Sequence, residues 1–402
     1  MTTGVDRVLA ATPLADHGGA LPARPAWLDE VRTPEDARAW WQRAEATPIT
    51  GERMVRDGVA MVEVSFCAWS DDDEVMLHLA SLTDAHRTDI GPALLQPVAG
   101  SGLRVLSCLL PADGRYSYRL LRRRRIARDV GRDRAGWLGV HLDGRADPRN
   151  PLLLDDAVDR PPSSLWLGPD VPAWPAPTPP TVWQEGVAGG RGFAWQPASD
   201  PVATLMLFDG EAWRRLDPRR LPGLDRVTLV LIDSGSREQR ASDLLRPDRA
   251  AALVASVREK LLGLAPELAP TLGADRLIVA GQSFGGLAAA GVVATAPTIA
   301  RRAVAQSGSF WYQQANERYD EAGDLVQRLR AERTKWPGRL VVQVGTEEPD
   351  MLQRAVEFSA AARSAGHRVD YREYRGGHDY AWWYPALADG VAELLAPHPA
   401  LA

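Results

Sequence analysis

Apolar and polar positions follow two different periods along the chain. In the first part the period is two: Val62-Glu-Val-Ser-Phe66 and Val75-Met-Leu-His-Leu79 alternate, and Leu103–Leu110 and Tyr116–Leu120 add further strand-like runs. Ahead of them, Thr33-Pro-Glu-Asp36 reads as the N-cap and first turn of a helix continuing through Ala37–Ala46. The polar run Ser70-Asp-Asp-Asp-Glu74 predicts a hairpin between the first two strands, and Pro111-Ala-Asp-Gly114 a turn between the next two. Short strands at this spacing predict a small β-sandwich. The basic run Arg122–Arg125 reads as a solvated strand edge, where charge discourages pairing, ahead of an anion-binding patch.

In the second part, continuous runs of strand length rich in apolar residues appear: Ala203–Phe208, Val227–Ile232, Arg276–Ala280, Ala303–Ala305, Leu340–Val344 and Val369–Tyr374. Helical patterns separate them at Asp248–Leu262, Gly286–Ala296, Asp324–Arg333 and Met351–Ala365. Apolar strands alternating with amphipathic helices predict a mostly parallel sheet covered on both faces, an α/β fold. Between the two parts, Arg160–Pro180 is crowded with proline, which sustains neither a helix nor a central strand. The expected organisation is therefore a β-rich N-terminal domain over 1–160, a proline-rich linker over 161–182, and an α/β domain over 183–402.

The chain's 402 residues fit this two-domain plan, and 45% hydrophobic with 25% charged residues is ordinary globular composition. A formal net charge of -5 gives the whole molecule no attraction for nucleic acid or an anionic membrane, so neither is expected as a partner. Two cysteines, Cys67 and Cys108, exclude a disulfide scaffold and a cysteine-rich metal site, and both read as buried free thiols. No metal is expected. Met1–Ala20 carries Asp6 and Asp16 and lacks a continuous apolar core, so it does not read as a signal peptide; the expected compartment is the cytoplasm.

The candidate chemistry lies at Leu277-Ile-Val-Ala-Gly-Gln-Ser-Phe-Gly-Gly286. This is a strand running into G-x-S-x-G and then into the small-residue helix Leu287–Ala290, the context a nucleophile elbow demands. Ser283 is the candidate nucleophile, and the Phe284 N–H is one candidate oxyanion donor. The second donor falls after an earlier strand, at Gly210 or Glu211 in Leu207-Phe-Asp-Gly-Glu211. A hydrolase triad of this kind runs serine, acid, histidine in chain order. Downstream of Ser283 stand His367, His378 and His398. His398 lies in a proline-flanked tail and His367 in an expected surface turn, whereas His378 follows the last strand and two glycines, where the base must hang. The acid is Glu347, Glu348 or Asp350, all in the segment after Leu340–Val344.

These segments together resemble one family. Val279–Leu287, Gln306-Ser-Gly-Ser-Phe-Trp311, Gly345-Thr-Glu-Glu-Pro349, Gly376-Gly-His-Asp379 with Trp383, Leu207–Trp213, and Leu231-Ile-Asp233 with Arg240 are similar to the enterochelin (enterobactin) esterases. In the first part, Val64-Ser-Phe66, Thr83-Asp84, Leu109–Asp113, Tyr116-Ser-Tyr118 and Asp147–Pro151 resemble the N-terminal domain of the same family. The resemblance implies a serine esterase that cleaves the trilactone of a ferric catecholate siderophore for iron release. It implies catalytic roles for Ser283 and His378, favours Glu348 as the acid, and places Arg240, Trp311 and Trp383 where substrate contacts are expected. It implies no cofactor, the iron entering only with the substrate. A carboxylesterase or acyl transferase of other specificity would use the same machinery.

Overall fold

The computed structural model describes residues 21–157, 160–176, 178–315 and 321–397. Met1–Ala20 and His398, both weighed above, lie outside them. The chain forms two compact units: residues up to Ala173 together with Arg375–Trp382, and Trp174–Tyr374 together with Trp383 onward.

The first unit contains β1 (Leu21–Pro22), β2 (Ile49–Arg56), β3 (Val59–Trp69), β4 (Glu74–Leu79), β5 (Gln96–Pro97), β6 (Leu103–Pro111), β7 (Arg115–Arg123), β8 (Leu153–Leu154) and β9 (Ser163–Leu167), with helices α1 (Pro34–Arg43) and α2 (Arg134–Asp143). One antiparallel sheet has the order β1-β6-β3-β2 with β5 on β6; the second has the order β4-β7-β9-β8. The period of two dictates how they pack. Val62, Val64 and Phe66 of β3 share a core with Val75, Leu77 and Leu79 of β4 and with Tyr116, Tyr118 and Leu120 of β7, so the two sheets bury one face against each other. The alternate residues serve the outer faces: Cys67 joins Val31 and Ala37 beside α1, and Met76 joins Trp137 and Val140 of α2. Helix α1 starts where expected, with a capping box in which the Thr33 hydroxyl accepts the Asp36 N–H and the Asp36 carboxylate accepts the Thr33 N–H.

Three expectations are corrected here. Ser70–Glu74 turns no hairpin, because β3 and β4 belong to different sheets; the polar run carries the chain across the sandwich. The proline-rich stretch contains strand β9, hydrogen-bonded to β7 and β8. Its prolines flank the strand at Pro161, Pro162 and Pro169 and leave Ser163–Leu167 with every N–H the ladder needs. Cys67 and Cys108 are buried free thiols, and burial pushes both up, Cys108 to about 12. The arginine run is not a strand edge, because β7 lies between β4 and β9 and its Arg122 and Arg123 pair with Val75 and Glu74; the run instead closes the strand, with Arg123 on Asp143 and Arg124 and Arg125 exposed beyond it.

In the second unit β10 (Gln184–Ala188), β11 (Arg191–Gln196), β12 (Ala203–Phe208), β13 (Val227–Ile232), β14 (Leu277–Gln282), β15 (Arg302–Gln306), β16 (Arg339–Gly345) and β17 (Arg368–Tyr374) form one eight-stranded sheet in the order β10-β11-β13-β12-β14-β15-β16-β17. From β13 to β17 the pairs are parallel. Helices α3 (Gly210–Leu216), α4 (Arg237–Leu244), α5 (Pro247–Leu264), α6 (Phe284–Thr295), α7 (Asp324–Ala331) and α8 (Pro349–Ser364) alternate with the strands, and α9 (Tyr380–Leu395) is the last element among the described residues. Strands β12 to β16 are apolar because both faces are covered: Met206, Val230, Val279, Ala303 and Val342 meet α5, α6 and α8 in one core. The antiparallel hairpin β10–β11 turns on Gly189 and Gly190, both at positive φ. Its Gly-Gly dipeptide between extended runs is the signal by which the sequence announces it. Among the described residues no helix is long and apolar enough to cross a membrane.

The sandwich core generates one prediction. Phe66 is fully buried, with its ring edge-on to Tyr118 at 4.9 Å. Phe66→Ala should cost about 3–5 kcal/mol of stability, read as a lower urea midpoint at unchanged m-value; a loss under about 1 kcal/mol would contradict the shared core.

Candidate active site

Strand β14 delivers the chain to Ser283, whose backbone sits at φ 56° and ψ −116° before α6 begins at Phe284. The turn is closed by main-chain bonds: the Ser283 N–H donates to Gln306 O at 3.0 Å, and Ser283 O accepts from Ser309 and Leu287. A Cβ on Gly281 would lie 2.6 Å from the Gly285 carbonyl carbon, and one on Gly286 would lie 2.8 Å from Gln306 O. Only glycine fits at these points, which is why G-x-S-x-G runs on into a second glycine. The Phe284 N–H occupies the first position of a helix, where N–H groups point outward and the dipole favours a developing anion.

A second turn of the same kind lies alongside. Strand β12 pairs with β14, and Leu207 is level with Ala280. After it Asp209 adopts φ 59° and caps α3, so the Gly210 N–H also occupies a first helical position. A Cβ on Gly210 would lie 2.8 Å from the Leu231 carbonyl carbon, and one on Gly285 would lie 3.5 Å from Asp209 Oδ2. Arg240 from α4 holds this turn. Its guanidinium makes a two-pronged ion pair with Asp209 at 2.5 and 2.7 Å, while Ser234 donates to the same carboxylate at 2.6 Å. The guanidinium also lies 5.0 Å from the centre of the Phe284 ring, and Trp311 meets that ring edge-on at 6.5 Å. Arg240 and Trp311 thus flank the residue after the candidate nucleophile. Trp311 is half-buried.

Three buried glutamines, which the sequence reading missed, lock the strand ends. Gln282, Gln306 and Gln343 are level on β14, β15 and β16. Gln282 donates to Gln306 at 2.7 Å and Gln306 to Gln343 at 2.8 Å, while Gln282 accepts from the Trp213 indole. The signal was present: Gln-Ser closes two apolar strands, at Gln282-Ser283 and Gln306-Ser307.

The candidate acids separate by burial. Asp350 is exposed and Glu347 half-buried, whereas Glu348 is 5% exposed. Glu348 Oε1 accepts from the Ser307 hydroxyl at 2.6 Å and from the Gly345 N–H at 3.1 Å. Ser307 also accepts the Trp383 indole N–H at 3.0 Å. Trp383, expected among the substrate contacts, is 4% exposed and supports Ser307.

His378 is exposed and belongs to the segment Arg375–Trp382 of the first unit. Its N–H donates to Ser81 Oγ at 2.8 Å. His367, expected in a surface turn, is instead buried: its Nδ1 accepts the Gly338 N–H at 3.1 Å, and burial pushes its pKa down. It is fixed at the entry to β16 as a structural group.

One cluster could in principle hold a metal. His78, Asp84 and His141 of the first unit bring their ligand atoms within 4.8 Å of one another. His78 Nε2 lies 3.2 Å from Asp84 Oδ1, and the two imidazoles stack edge to face at 4.3 Å. Burial opposes ionisation of Asp84, but the His78 hydrogen bond, the imidazoles and Arg87 outweigh it and hold the carboxyl below its usual range. Burial first, then His78, Arg160 and Arg119, pushes His141 down to about 3. Three arginines, Arg87, Arg119 and Arg160, already act on this cluster, and a divalent cation would add to their charge.

Comparison with known proteins covers both units. Residues 64–176 match the model of the enterochelin esterase N-terminal family, and 197–394 match the Esterase family model. The chain is 27% identical to the iron(III) enterobactin esterase of Escherichia coli K12, across 90% of this chain and 97% of that one. It is 28% identical to the iron(III) enterobactin esterase of Dickeya dadantii, across 89% and 92%. Its structure is similar to that of the Shigella flexneri enterobactin esterase solved in the presence of enterobactin, with 25% identity, a TM-score of 0.71, and coverage of 89% and 97%.

The neutral His141 predicts a pH dependence. Between its ordinary value and about 3, the unfolded chain binds a proton there that the folded chain does not, so folding is weakened as pH falls through this window. His141→Gln should flatten the loss of thermal stability between pH 7 and pH 4. An unchanged slope would mean that His141 is not held neutral.

Proposed function

The chain belongs to the enterochelin esterase family, and on that premise we propose that it hydrolyses the ester bonds of a ferric catecholate siderophore of the enterobactin type, with Ser283 as nucleophile. The observation that carries the reading is the strained turn at Ser283, a serine held at positive φ between a parallel strand and a helix start. Ser283 Oγ attacks the ester carbonyl while His378 takes its proton and then passes it to the leaving alkoxide. A water, deprotonated by His378, releases the acyl group and restores the serine. Glu348 orients the imidazole and stabilises its cation without taking the proton. The N–H groups of Phe284 and Gly210 receive the charge that develops on the carbonyl oxygen; their shared placement at the starts of α6 and α3 supports this assignment.

The substrate reading gains from Arg240 and Trp311. A tris-catecholate iron complex is a trianion with aromatic arms, and the guanidinium and indole beside Phe284 suit both features. The reaction as proposed requires no resident cofactor, since the iron arrives as part of the substrate. Iron release places the enzyme in the cytoplasm, and the net charge of -5 fits a protein whose partner is a small molecule rather than nucleic acid or membrane.

The test is to incubate the protein with ferric and iron-free catecholate trilactones, follow ring opening by mass spectrometry, and compare a nitrophenyl acetate. A large preference for the catecholate is expected; equal efficiency would point to a generalist carboxylesterase. Ser283→Ala and His378→Ala should each lower kcat by about 10⁴–10⁶, with the double variant scarcely worse than either. Glu348→Ala should cost less than either, but more than Glu347→Ala or Asp350→Ala. A folded Ser283→Ala protein retaining a few per cent of turnover would remove the serine from its role.

A further inference from the structure

The segment Arg375–Trp382 is not a loose loop. Within the first unit it is tied on both sides of His378. The Arg115 N–H donates to Arg375 O at 3.0 Å, and the His378 N–H donates to Ser81 Oγ at 2.8 Å. The Ser117 N–H donates to Asp379 Oδ2 at 2.6 Å, and Asp379 Oδ1 accepts the Ala381 N–H at 3.1 Å. Asp379 is 4% exposed, so its carboxylate is a buried anchor. The Trp382 indole closes the segment on Gly377 O.

The two glycines before the histidine have a steric reason. A Cβ on Gly377 would lie 2.2 Å from Ser81 Oγ and 3.0 Å from Ala80 O; one on Gly376 would lie 2.5 Å from Trp382 Cδ1 and 3.0 Å from Arg115 O. They serve close approach to the corner after β4 and to the start of β7. That corner is itself strained, for Ser81 sits at φ 62°, a conformation rare for a residue other than glycine, asparagine or aspartate. Ser117 clamps it from the other side, its carbonyl accepting the Ala80 N–H at 3.0 Å. A serine kept in a strained conformation, with its hydroxyl on the main chain of the base, points from an outlier to a role.

We propose that Ser81 is a positioning residue for the esterase: through its hydroxyl it fixes the backbone from which the His378 imidazole projects. This rests on the reading of His378 as the base. Glycine at position 81, though better suited to the turn, would supply no acceptor for the His378 N–H. The first unit then supplies the backbone that carries the proposed base.

Ser81→Gly relieves the strain and deletes the acceptor together, so compared with Ser81→Ala it separates the two. The expected result is an unfolding midpoint equal to or above wild type, with kcat on a catecholate trilactone lower by about 10–100-fold and KM within about twofold. Ser81→Ala, which removes the acceptor and keeps the strain, should show the same kcat loss at lower stability. In a His378→Ala background, Ser81→Gly should bring no further loss, because its effect passes through the histidine. Full turnover in Ser81→Gly beside an inactive His378→Ala would overturn the positioning role and leave the base intact. An equal loss in both backgrounds would overturn it as well. An active His378→Ala protein would instead sink the base assignment on which the proposal rests.

Discussion

At φ 56° and ψ −116° the Ser283 backbone occupies a conformation that costs an L-residue about 1–3 kcal/mol. It persists because the surroundings leave no alternative. The N–H and C=O of Ser283 are both committed, to Gln306 and to Ser309 and Leu287, and glycines at 281, 285 and 286 let the neighbouring main chain close in. The glutamine ladder across β14, β15 and β16 makes the strand ends one rigid edge, so relaxing the serine would mean breaking buried hydrogen bonds between amide side chains on its neighbours. Strain is therefore stored in one residue and opposed by a network.

The same device recurs at the other strand ends. Asp209 after β12 and Ser307 after β15 are also non-glycine residues at positive φ, at 59° and 43°. Each is held by a charged or hydroxyl partner: Asp209 by Arg240 and Ser234, Ser307 by Glu348 and Trp383. Each also presents one proposed component, Gly210 beside Asp209 and Glu348 beside Ser307. Parallel strands end together, and sharp turns there let neighbouring main chains deliver donors and carboxylates at one level of the sheet. In this light Arg240 has a second value besides its charge: it stabilises the turn from which Gly210 donates.

How far the sequence could disclose this depends on the range of the interaction involved. Ala203–Phe208 and Val227–Ile232 are legible to the residue because burial on both faces leaves no charged position inside them and only one threonine in each. The elbow is legible because its strain is local and requires glycine at fixed offsets. The path after β3 is not, since Ser70–Glu74 reveals that the chain turns at the surface but not which sheet receives the next strand; that depends on pairing with β7, more than thirty residues on. Serine and aspartate at positive φ leave no compositional mark, so Asp209, Ser307 and Ser81 were invisible. The burial of His367 and Trp383 was equally hidden, because a histidine after a glycine and a tryptophan in a helix read alike inside and out.

The adjacent tryptophans near the end of the chain show how hydrogen-bond chemistry assigns what burial alone does not. An indole nitrogen can only donate. Trp383 therefore forces Ser307 Oγ to accept, and the hydroxyl's one proton is left for Glu348 Oε1, on which it stands at 2.6 Å. With the Gly345 N–H on the same oxygen, Glu348 Oε1 accepts two hydrogen bonds that fix the orientation of its carboxyl group. Trp382 applies the same constraint one residue earlier, its N–H fixing the Gly377 carbonyl in the segment that bears His378. Consecutive indoles thus set the proton direction around the proposed acid and the main-chain geometry beside the proposed base. Neither needs to touch substrate for its loss to be felt in turnover, and phenylalanine, which keeps the packing and lacks the donor, isolates that contribution from the hydrophobic one.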